Sequence, residues 1–275
     1  MAGPLVTLLS DFGARDPSAA ICRAVIWQIA PEARLLDISH DVAKFAIRDG
    51  ALLLWCALPY TEPAIHVAVV DPGVGTDRRP IALRVARGDI LLGPDNGLLL
   101  PVAERLGGVV EARVLAAAEY RLERISTSFH GRDVFAPAAA HLARGVDLAE
   151  LGPAVEPAEL LRLAIPEPVV EPGRLRSAVI YRDTFGNAKL AGLAPDLPAA
   201  LGPLQSGDAL SVDLGERQID ATWQSTFGTT EPGEPLVYED SYGRLCLAVN
   251  QGNAVKVYGL RDDEPVLITR RPLRP

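Results

Sequence analysis

One segment reads His66-Val67-Ala68-Val69-Val70-Asp71-Pro72-Gly73-Val74-Gly75-Thr76-Asp77-Arg78-Arg79. An almost uninterrupted apolar run ends in a carboxylate, which proline, glycines and two arginines follow. This pattern predicts a buried strand that delivers Asp71 into a tight turn. Because ligands bind beyond the carboxyl ends of strands in open α/β sheets, Asp71 is a candidate functional residue. The alternative is that its side chain only caps the turn by accepting from backbone amides.

Strands and helices alternate around this segment. The apolar patterns predict strands at 5–9, 80–86, 90–92 and 109–115, a strand and loop at 35–40, and helices at 16–29, 47–58 and from about 98. An Ala-rich segment follows at 134–143. Asp16 and Pro17 suit a helix start, so Asp16 can be explained as a cap alone. The alternation predicts an N-terminal α/β/α domain with a mostly parallel sheet.

The second part of the chain has a different pattern. Prolines and glutamates crowd the segment 166–173, and helical periodicity does not return after it. We therefore expect a catalytic α/β domain at 1–165, a Pro-rich linker at 166–173 and a second domain at 174–275. Short strands predicted at 177–181, 209–212, 218–223, 245–249, 254–258 and 266–269 indicate that this smaller domain is an all-β barrel or sandwich.

Composition limits the classes of function. A formal net charge of -8 and a pI of about 5.1 over 275 residues argue against a nucleic-acid binder. Cys22, Cys56 and Cys246 lie in apolar runs and are expected to be buried thiols, as in a cytoplasmic protein. We expect no signal peptide and no membrane span. The spacing of the histidines and acidic residues predicts no metal site.

Polar residues gather where the predicted strands stop, at 10–18, 71–79, 126–133 and 183–187. A shared pocket would offer Asp71, Arg78 and His130 as an acid/base and electrostatic group, with Asp11 and Asp16 available for hydroxyls or an amine. A histidine in such a loop is more often an ordinary surface group. The sequence contains neither a phosphate-binding loop with Gly-Lys-Ser/Thr nor a Gly-x-Ser-x-Gly elbow, which argues against triphosphatases and α/β-hydrolases.

Seven segments in this order resemble a known family, the S-adenosylmethionine hydrolases (adenosine-forming), also called S-adenosylmethionine hydroxide adenosyltransferases, which are relatives of fluorinase and chlorinase. The resemblance covers essentially the whole chain. It lies in Leu8-Leu9-Ser10-Asp11-Phe12-Gly13 with Asp16, Asp37-Ile38-Ser39-His40, Val70-Asp71-Pro72-Gly73-Val74-Gly75-Thr76 with Arg78, Pro94-Asp95-Asn96-Gly97-Leu98, Phe129-His130-Gly131-Arg132-Asp133, Asp183-Thr184-Phe185-Gly186-Asn187 and Ala248-Val249-Asn250.

The resemblance implies an enzyme that attacks C5′ of S-adenosyl-L-methionine with an activated water or hydroxide and forms adenosine and L-methionine. The family's catalytic Asp, Arg and His fall on Asp71, Arg78 and His130. It also implies a homotrimer, with each site between the N-terminal domain of one subunit and the C-terminal domain of the next. No cofactor is expected, since S-adenosylmethionine is the substrate.

By the same resemblance, a further set of residues contacts the substrate. Asp11 is implied for the ribose hydroxyls, and Phe45 aligns with an aromatic residue over the ribose. Asp16, Ser18, Asp183 and Ser241 are implied for the methionine end, whose ammonium favours carboxylates. Asn187 and Asn250 are implied for the adenine edge, Phe227 for its face, and Phe185 belongs to the same loop as Asn187. Taken singly, Asp183 and Asn187 can be explained as turn caps and Phe227 as core packing.

Some positions depart from the family pattern. The family usually has Tyr-Val-Gly after Asp16, where this chain has Pro17-Ser18-Ala19, and its Pro-x-Asp is replaced by Lys44-Phe45-Ala46. The usual Thr-Asn after the Phe-Gly-Asn of the second domain is replaced by Leu190-Ala191-Gly192. The pocket for the methionine end and the local adenine contacts are therefore expected to differ.

Two other functions compete with hydrolysis. A halogenase would use chloride or fluoride on the same substrate, but the halogenating relatives lack the Asp/Arg/His set. The fluorinase also carries a long insertion where this chain has only Arg87-Gly88-Asp89, and a halide-binding Ser where this chain has Gly131. A non-catalytic sensor of S-adenosylmethionine or adenosine would not need a group that activates water.

Overall fold

A computed structural model describes residues 3–271. The chain divides into two compact units, Met1–Leu163 and Ala164–Pro275. Within the described residues, no helix is both long enough and apolar enough to span a membrane.

The first unit is an α/β/α sandwich, and its elements follow the expected alternation. They are β1 (Leu5–Ser10), α1 (Ser18–Ile29), β2 (Arg34–Ser39), α2 (Ile47–Ala57), β3 (Ile65–Val69), β4 (Pro80–Val85), β5 (Ile90–Pro94), α3 (Leu100–Arg105), β6 (Val109–Val114), a π-helical turn (Gly131–Phe135) and α4 (Ala136–Ala143). The sheet order is β2-β1-β3-β5-β4-β6. The first four strands in this order pair in parallel, whereas β4 pairs antiparallel with both β5 and β6.

Both faces of this sheet are covered, which explains why β3 is apolar at nearly every position. On one face, α1, the π-helical turn and α4 bury Ile26, Phe135 and Ala139. On the other face, α2 and α3 bury Leu54 and Val102. A strand buried on both sides cannot alternate between apolar and polar residues. Asp71 therefore stands out because it follows the most enclosed strand of the sheet.

The second unit is a closed β-barrel with short helices. Its elements are β7 (Val169–Glu171), β8 (Arg174–Arg182), β9 (Ala188–Leu193), α5 (Asp196–Leu201), β10 (Ala209–Asp213), β11 (Gln218–Gln224), β12 (Pro235–Glu239), β13 (Arg244–Val249), α6 (Ala254–Tyr258) and β14 (Pro265–Arg270). The strand order is β14-β10-β11-β12-β13-β9-β8-β7, and pairing of β14 with β8 closes the barrel. The fold class expected from the sequence, α/β followed by a smaller all-β barrel, is confirmed.

Two local expectations in this unit differ from the structure. The segment 254–258 was expected as a strand and is the helix α6. The Asn253 side chain caps it by accepting from the backbone N–H of Lys256 at 2.7 Å, and Gly259 ends it in the left-handed conformation with φ 59°. These caps outweigh the β-propensity of the valines between them. The segment 166–173, expected as a linker, contains β7, which pairs with β8.

Candidate active site

Asp71 lies just beyond the end of β3, and its carboxylate bonds Arg78. The guanidinium donates from Nε to Oδ1 of Asp71 at 3.1 Å, and Nη2 also bonds Oδ2. The turn itself is held by other groups, since the Val74 N–H donates to the Asp71 carbonyl and the Thr76 hydroxyl donates to the Gly73 carbonyl. The bonds of the Asp71 side chain are therefore those of an ion pair rather than those of a turn cap.

A close approach between two loops brings His130 to this pair. Gly75 has φ +78°, and a Cβ on it would lie 2.2 Å from the carbonyl oxygen of Thr127. Only glycine fits there, so the turn after β3 packs directly on the loop that precedes His130. As a result, Nη2 of Arg78 lies 3.1 Å from Nδ1 of His130. The structure thus brings together the three residues that the sequence proposed as the catalytic group.

A fully buried carboxylate holds the loop that carries His130. Asp133 accepts from the backbone N–H of Ser126 at 2.7 Å and from Nε of Arg132 at 2.5 Å. The π-helical turn starts directly after His130, and such turns are frequent at functional sites. The sequence interpretation assigned Asp133 no role, although a carboxylate at the start of an apolar segment was a visible sign of one.

The group is shielded from solvent. The side chains of Arg78 and Asp71 are 7% and 4% exposed, and the guanidinium carbon lies 5.6 Å from the centre of the Phe135 ring. Burial and the charge of Arg78 lower the pKa of His130, so the imidazole is neutral at pH 7. Within residues 3–271, Nη1 of Arg78 is buried and has no hydrogen-bond partner.

Asn96 fixes the strand end from which Asp71 projects. Its side-chain amide donates to the carbonyl of Val70 at 2.9 Å, and its side-chain oxygen accepts from the N–H of Leu98 at 3.2 Å. Asn96 thus ties the backbone next to Asp71 to the bend before α3. Sequence reasoning noted Asn96 only as part of a family motif and a sharp bend.

Four further candidates of the first unit form two pairs. Asp11 is buried, and its Oδ2 accepts from the backbone N–H of Phe45 at 2.9 Å. Phe45 is 67% exposed and has φ +64°. Asp16 accepts from the backbone N–H of Ser18 at 2.9 Å and from its hydroxyl, directly where α1 begins. The N-cap position of α1 is Pro17 rather than the expected Asp16, so the Asp16 carboxylate bonds the first helical residue from one position before the cap.

In the second unit, Asp183 organises a loop. Its Oδ1 accepts from the N–H groups of Phe185 at 2.9 Å and Asn187 at 3.0 Å, and its Oδ2 accepts from the Asn187 side-chain amide at 3.0 Å. Asp183 is thus a turn cap, as its alternative explanation proposed. The ring of Phe185 is 78% exposed at the tip of this loop.

The remaining candidates lie near one another on the barrel, except for Ser241. Phe227 is half-buried rather than a core residue, and its ring centre lies 4.8 Å from that of Tyr238. The side-chain amide of Asn250 donates to the carbonyl of Thr230 at 2.5 Å, and the Thr230 N–H donates to the carbonyl of Phe227. Ser241 is exposed in the turn between β12 and β13. Tyr238 was not among the sequence candidates.

A larger residue at Gly131 would meet the ring of Phe12. A Cβ there would lie 2.9 Å from the end of the Phe12 ring and 3.5 Å from the Phe129 ring. These rings pack edge to face, with centres 5.7 Å apart. A serine at this position would require the Phe12 ring to move.

The chain is similar to known proteins over nearly its full length. The model of the SAM hydroxide adenosyltransferase N-terminal domain matches residues 6–152, and that of the C-terminal domain matches residues 177–267. A protein of Salinispora tropica named (R)-S-adenosyl-L-methionine hydrolase is 42% identical over 97% of this chain and 98% of its own length. A protein of the same name from Thermus thermophilus is 38% identical over 95% of this chain and 98% of its own length.

More distant relatives and a solved structure agree with this pattern. A protein of Actinoplanes sp. named fluorinase is 29% identical over 97% of this chain and 98% of its own length. The crystal structure of an uncharacterized conserved protein from Thermotoga maritima superposes with a TM-score of 0.90 at 34% identity, over 96% of this chain and all of that chain. With both domain models matched in order, this chain belongs to the SAM hydroxide adenosyltransferase family.

Proposed function

We propose that this protein is an enzyme that hydrolyses S-adenosyl-L-methionine to adenosine and L-methionine. The observation that supports it most is the buried group in which Arg78 bonds both Asp71 and His130. Water has a pKa near 15.7 and is a poor nucleophile at neutral pH, so attack on carbon requires groups that orient and polarise it. A site that only bound the substrate would have no use for such a group.

The direction of each hydrogen bond assigns the roles. Guanidinium nitrogens only donate, so Nδ1 of His130 accepts from Arg78 and the neutral imidazole carries its proton on Nε2. His130 therefore acts as a hydrogen-bond donor through Nε2. Asp71 is the member of the group that accepts hydrogen bonds, and its remaining lone pairs orient the attacking water. The buried Nη1 of Arg78 adds a donor that favours hydroxide character.

The reaction is a substitution at carbon. The water oxygen forms a bond to C5′ while the bond from C5′ to the sulfonium sulfur breaks, and its electron pair goes to sulfur to give the thioether of methionine. One proton leaves the attacking water, and Asp71 takes it in the first instance. Because the leaving group is a neutral thioether, it needs no general acid.

The substrate contacts are proposed by family resemblance and local chemistry. Asp11 accepts from the ribose hydroxyls, with Phe45 over the sugar. Asp16, Ser18, Asp183 and Ser241 bind the methionine end. The adenine is contacted by Asn187, Asn250, Phe185 and Phe227. We further propose that the protein is a cytoplasmic homotrimer in which each site combines the two kinds of domain from neighbouring subunits, and that it needs no cofactor.

A product assay in oxygen-18 water tests the reaction. Purified protein is incubated with S-adenosylmethionine, the products are separated, and their masses are measured by mass spectrometry. We expect adenosine with the label in its 5′-hydroxyl, together with unlabelled methionine. Unlabelled adenosine, or binding without turnover, would refute hydrolysis at C5′. A parallel incubation with chloride tests the halogenase alternative, for which the product is 5′-chloro-5′-deoxyadenosine.

A further inference from the structure

The residues proposed for the methionine end leave one substrate group without a cationic partner. The amino acid head of S-adenosylmethionine carries an ammonium and a carboxylate. Asp16, Asp183, Ser18 and Ser241 supply carboxylates and hydroxyls, which suit the ammonium. A carboxylate is bound best by a cation, and such a cation should lie close to the carboxylate that takes the ammonium.

Lys44 is the candidate for this cation. It lies on a segment that packs against the loop after β1. Its Nζ donates to the backbone carbonyl of Asp11, and the next residue, Phe45, donates its N–H to the Asp11 side chain at 2.9 Å. The backbone N–H of Gly13 donates to the carbonyl of His40 at 2.6 Å, which holds the two loops together. A Cβ on Gly13 would lie 3.7 Å from Nζ of Lys44.

The charge of Lys44 also acts on the Asp16 carboxylate. The bonds from Ser18 are the main cause of the lowered pKa of the Asp16 carboxyl, and the charge of Lys44 contributes to it. The Lys44 ammonium thus lies next to Gly13, in the loop that also carries Asp16. Lysine has three N–H donors, and the bond to Asp11 uses one of them.

We propose that Lys44 and Asp16 together recognise the zwitterionic head of the substrate, with Lys44 donating to its α-carboxylate and Asp16 accepting from its α-ammonium. This inference rests on the proposed function and names the part of the substrate that Lys44 selects. Lys44 is one of the positions where the sequence departs from the family pattern, which has proline there. The contact is therefore a specificity feature of this chain.

The net charge of the ligand distinguishes a direct bond between Lys44 and the substrate carboxylate from a general electrostatic effect of the lysine. S-adenosylmethionine carries a net charge of plus one, so a lysine that acted only through its field would weaken binding, and its removal would tighten it. Decarboxylated S-adenosylmethionine keeps the sulfonium and the ammonium but lacks the carboxylate. A lysine that donates to the carboxylate favours the first ligand over the second.

The test measures dissociation constants of both ligands by calorimetry, in protein that also carries Asp71→Asn to slow turnover. For Lys44→Met we expect binding of S-adenosylmethionine to weaken about tenfold, as for loss of a charge-assisted hydrogen bond, and binding of the decarboxylated ligand to be unchanged or tighter. Lys44→Arg should restore most of the preference. Equal weakening of both ligands would mean that Lys44 only supports the Asp11 loop, and tighter binding of both would mean a field effect; either result overturns the proposal.

Arg15→Met is the matched control, since Arg15 is an exposed cation in the loop after β1, between Gly13 and Asp16. We expect it to leave the preference for the carboxylate intact. If the preference falls in Arg15→Met and not in Lys44→Met, the assignment to Lys44 is wrong. Failure of the proposed function appears separately, as wild-type protein that binds S-adenosylmethionine without hydrolysing it.

Discussion

Nη2 of Arg78 lies 3.1 Å from Nδ1 of His130, and the same guanidinium bonds both oxygens of Asp71. One arginine therefore sets the tautomer of the histidine and holds the carboxylate in place. Because arginine cannot accept, His130 can face the reacting water only through a donor, Nε2–H. Asp71 and His130 thus have opposite roles, and each can be removed separately.

The first prediction concerns Asp71→Asn. The amide keeps the shape of the side chain but loses the charge that orients water, so we expect turnover to fall by a factor of ~10² or more while binding of S-adenosylmethionine remains measurable. Chromatography of adenosine and calorimetry measure the two quantities. Asp77→Asn changes an exposed carboxylate of the same turn and should have little effect. Unchanged turnover in Asp71→Asn would remove Asp71 from the mechanism.

The second prediction concerns the pH dependence of turnover. Burial and the positive charge of Arg78 lower the pKa of His130 below its usual 6.5. Protonation would place an imidazolium against the guanidinium, so activity should persist below pH 6.5 and fall only at more acidic pH. We expect His130→Ala to reduce turnover by ~10² and to abolish this acidic fall. The comparison is His141→Gln in α4, which should keep the profile of the wild type.

The third prediction concerns the pH dependence of stability. It rests on His66, which, unlike His130, is fully buried. His66 bonds Thr7 through Nδ1 at 2.8 Å and Asp89 through Nε2 at 2.9 Å. Burial lowers the pKa of His66 in the folded protein. The unfolded chain therefore binds the proton first as pH falls, and stability should decline from about pH 6.5 downward, by up to ~1.4 kcal/mol per pH unit for this group.

Urea unfolding at pH 7 and pH 5 checks this linkage. We expect His66→Gln to be less stable than the wild type at pH 7, because a fully buried hydrogen-bond network is disturbed. The loss between pH 7 and pH 5 should be smaller in the variant than in the wild type. An equal loss in both proteins would show that His66 does not titrate as proposed.

The fourth prediction concerns the backbone of Phe45. A non-glycine residue with φ +64° is strained by about 1 kcal/mol, yet the ring is largely exposed. We expect both Phe45→Gly and Phe45→Ala to raise KM, since both remove the ring proposed to lie over the ribose. Phe45→Gly should also be the more stable of the two, because it relieves the strain. If both variants keep the wild-type KM, Phe45 does not contact the substrate.

Much of the fold follows from local pattern. The alternation of apolar strands with amphipathic helices in the first unit predicts the sandwich, because a strand buried on both faces has to be apolar throughout. The segment 254–258 shows the limit of this reasoning, since its valines favour a strand while Asn253 and Gly259 cap a helix. The strands β9 and β12 were also missed, as Ala, Gly and Pro weaken their pattern.

The sequence by itself determined which residues are available for chemistry, since Asp71, Arg78 and His130 all lie where apolar segments end. Tertiary structure decided how they meet. Arg78 and His130 are far apart in the chain, and their contact depends on the Gly75 backbone approaching Thr127, on Asp133 holding the second loop and on Asn96 fixing the strand end. Local pattern cannot specify such contacts, because they follow from which loops the sheet order places side by side. Tertiary structure also decided which nitrogen of His130 carries the proton, because packing places Arg78 against Nδ1 and leaves the proton on Nε2.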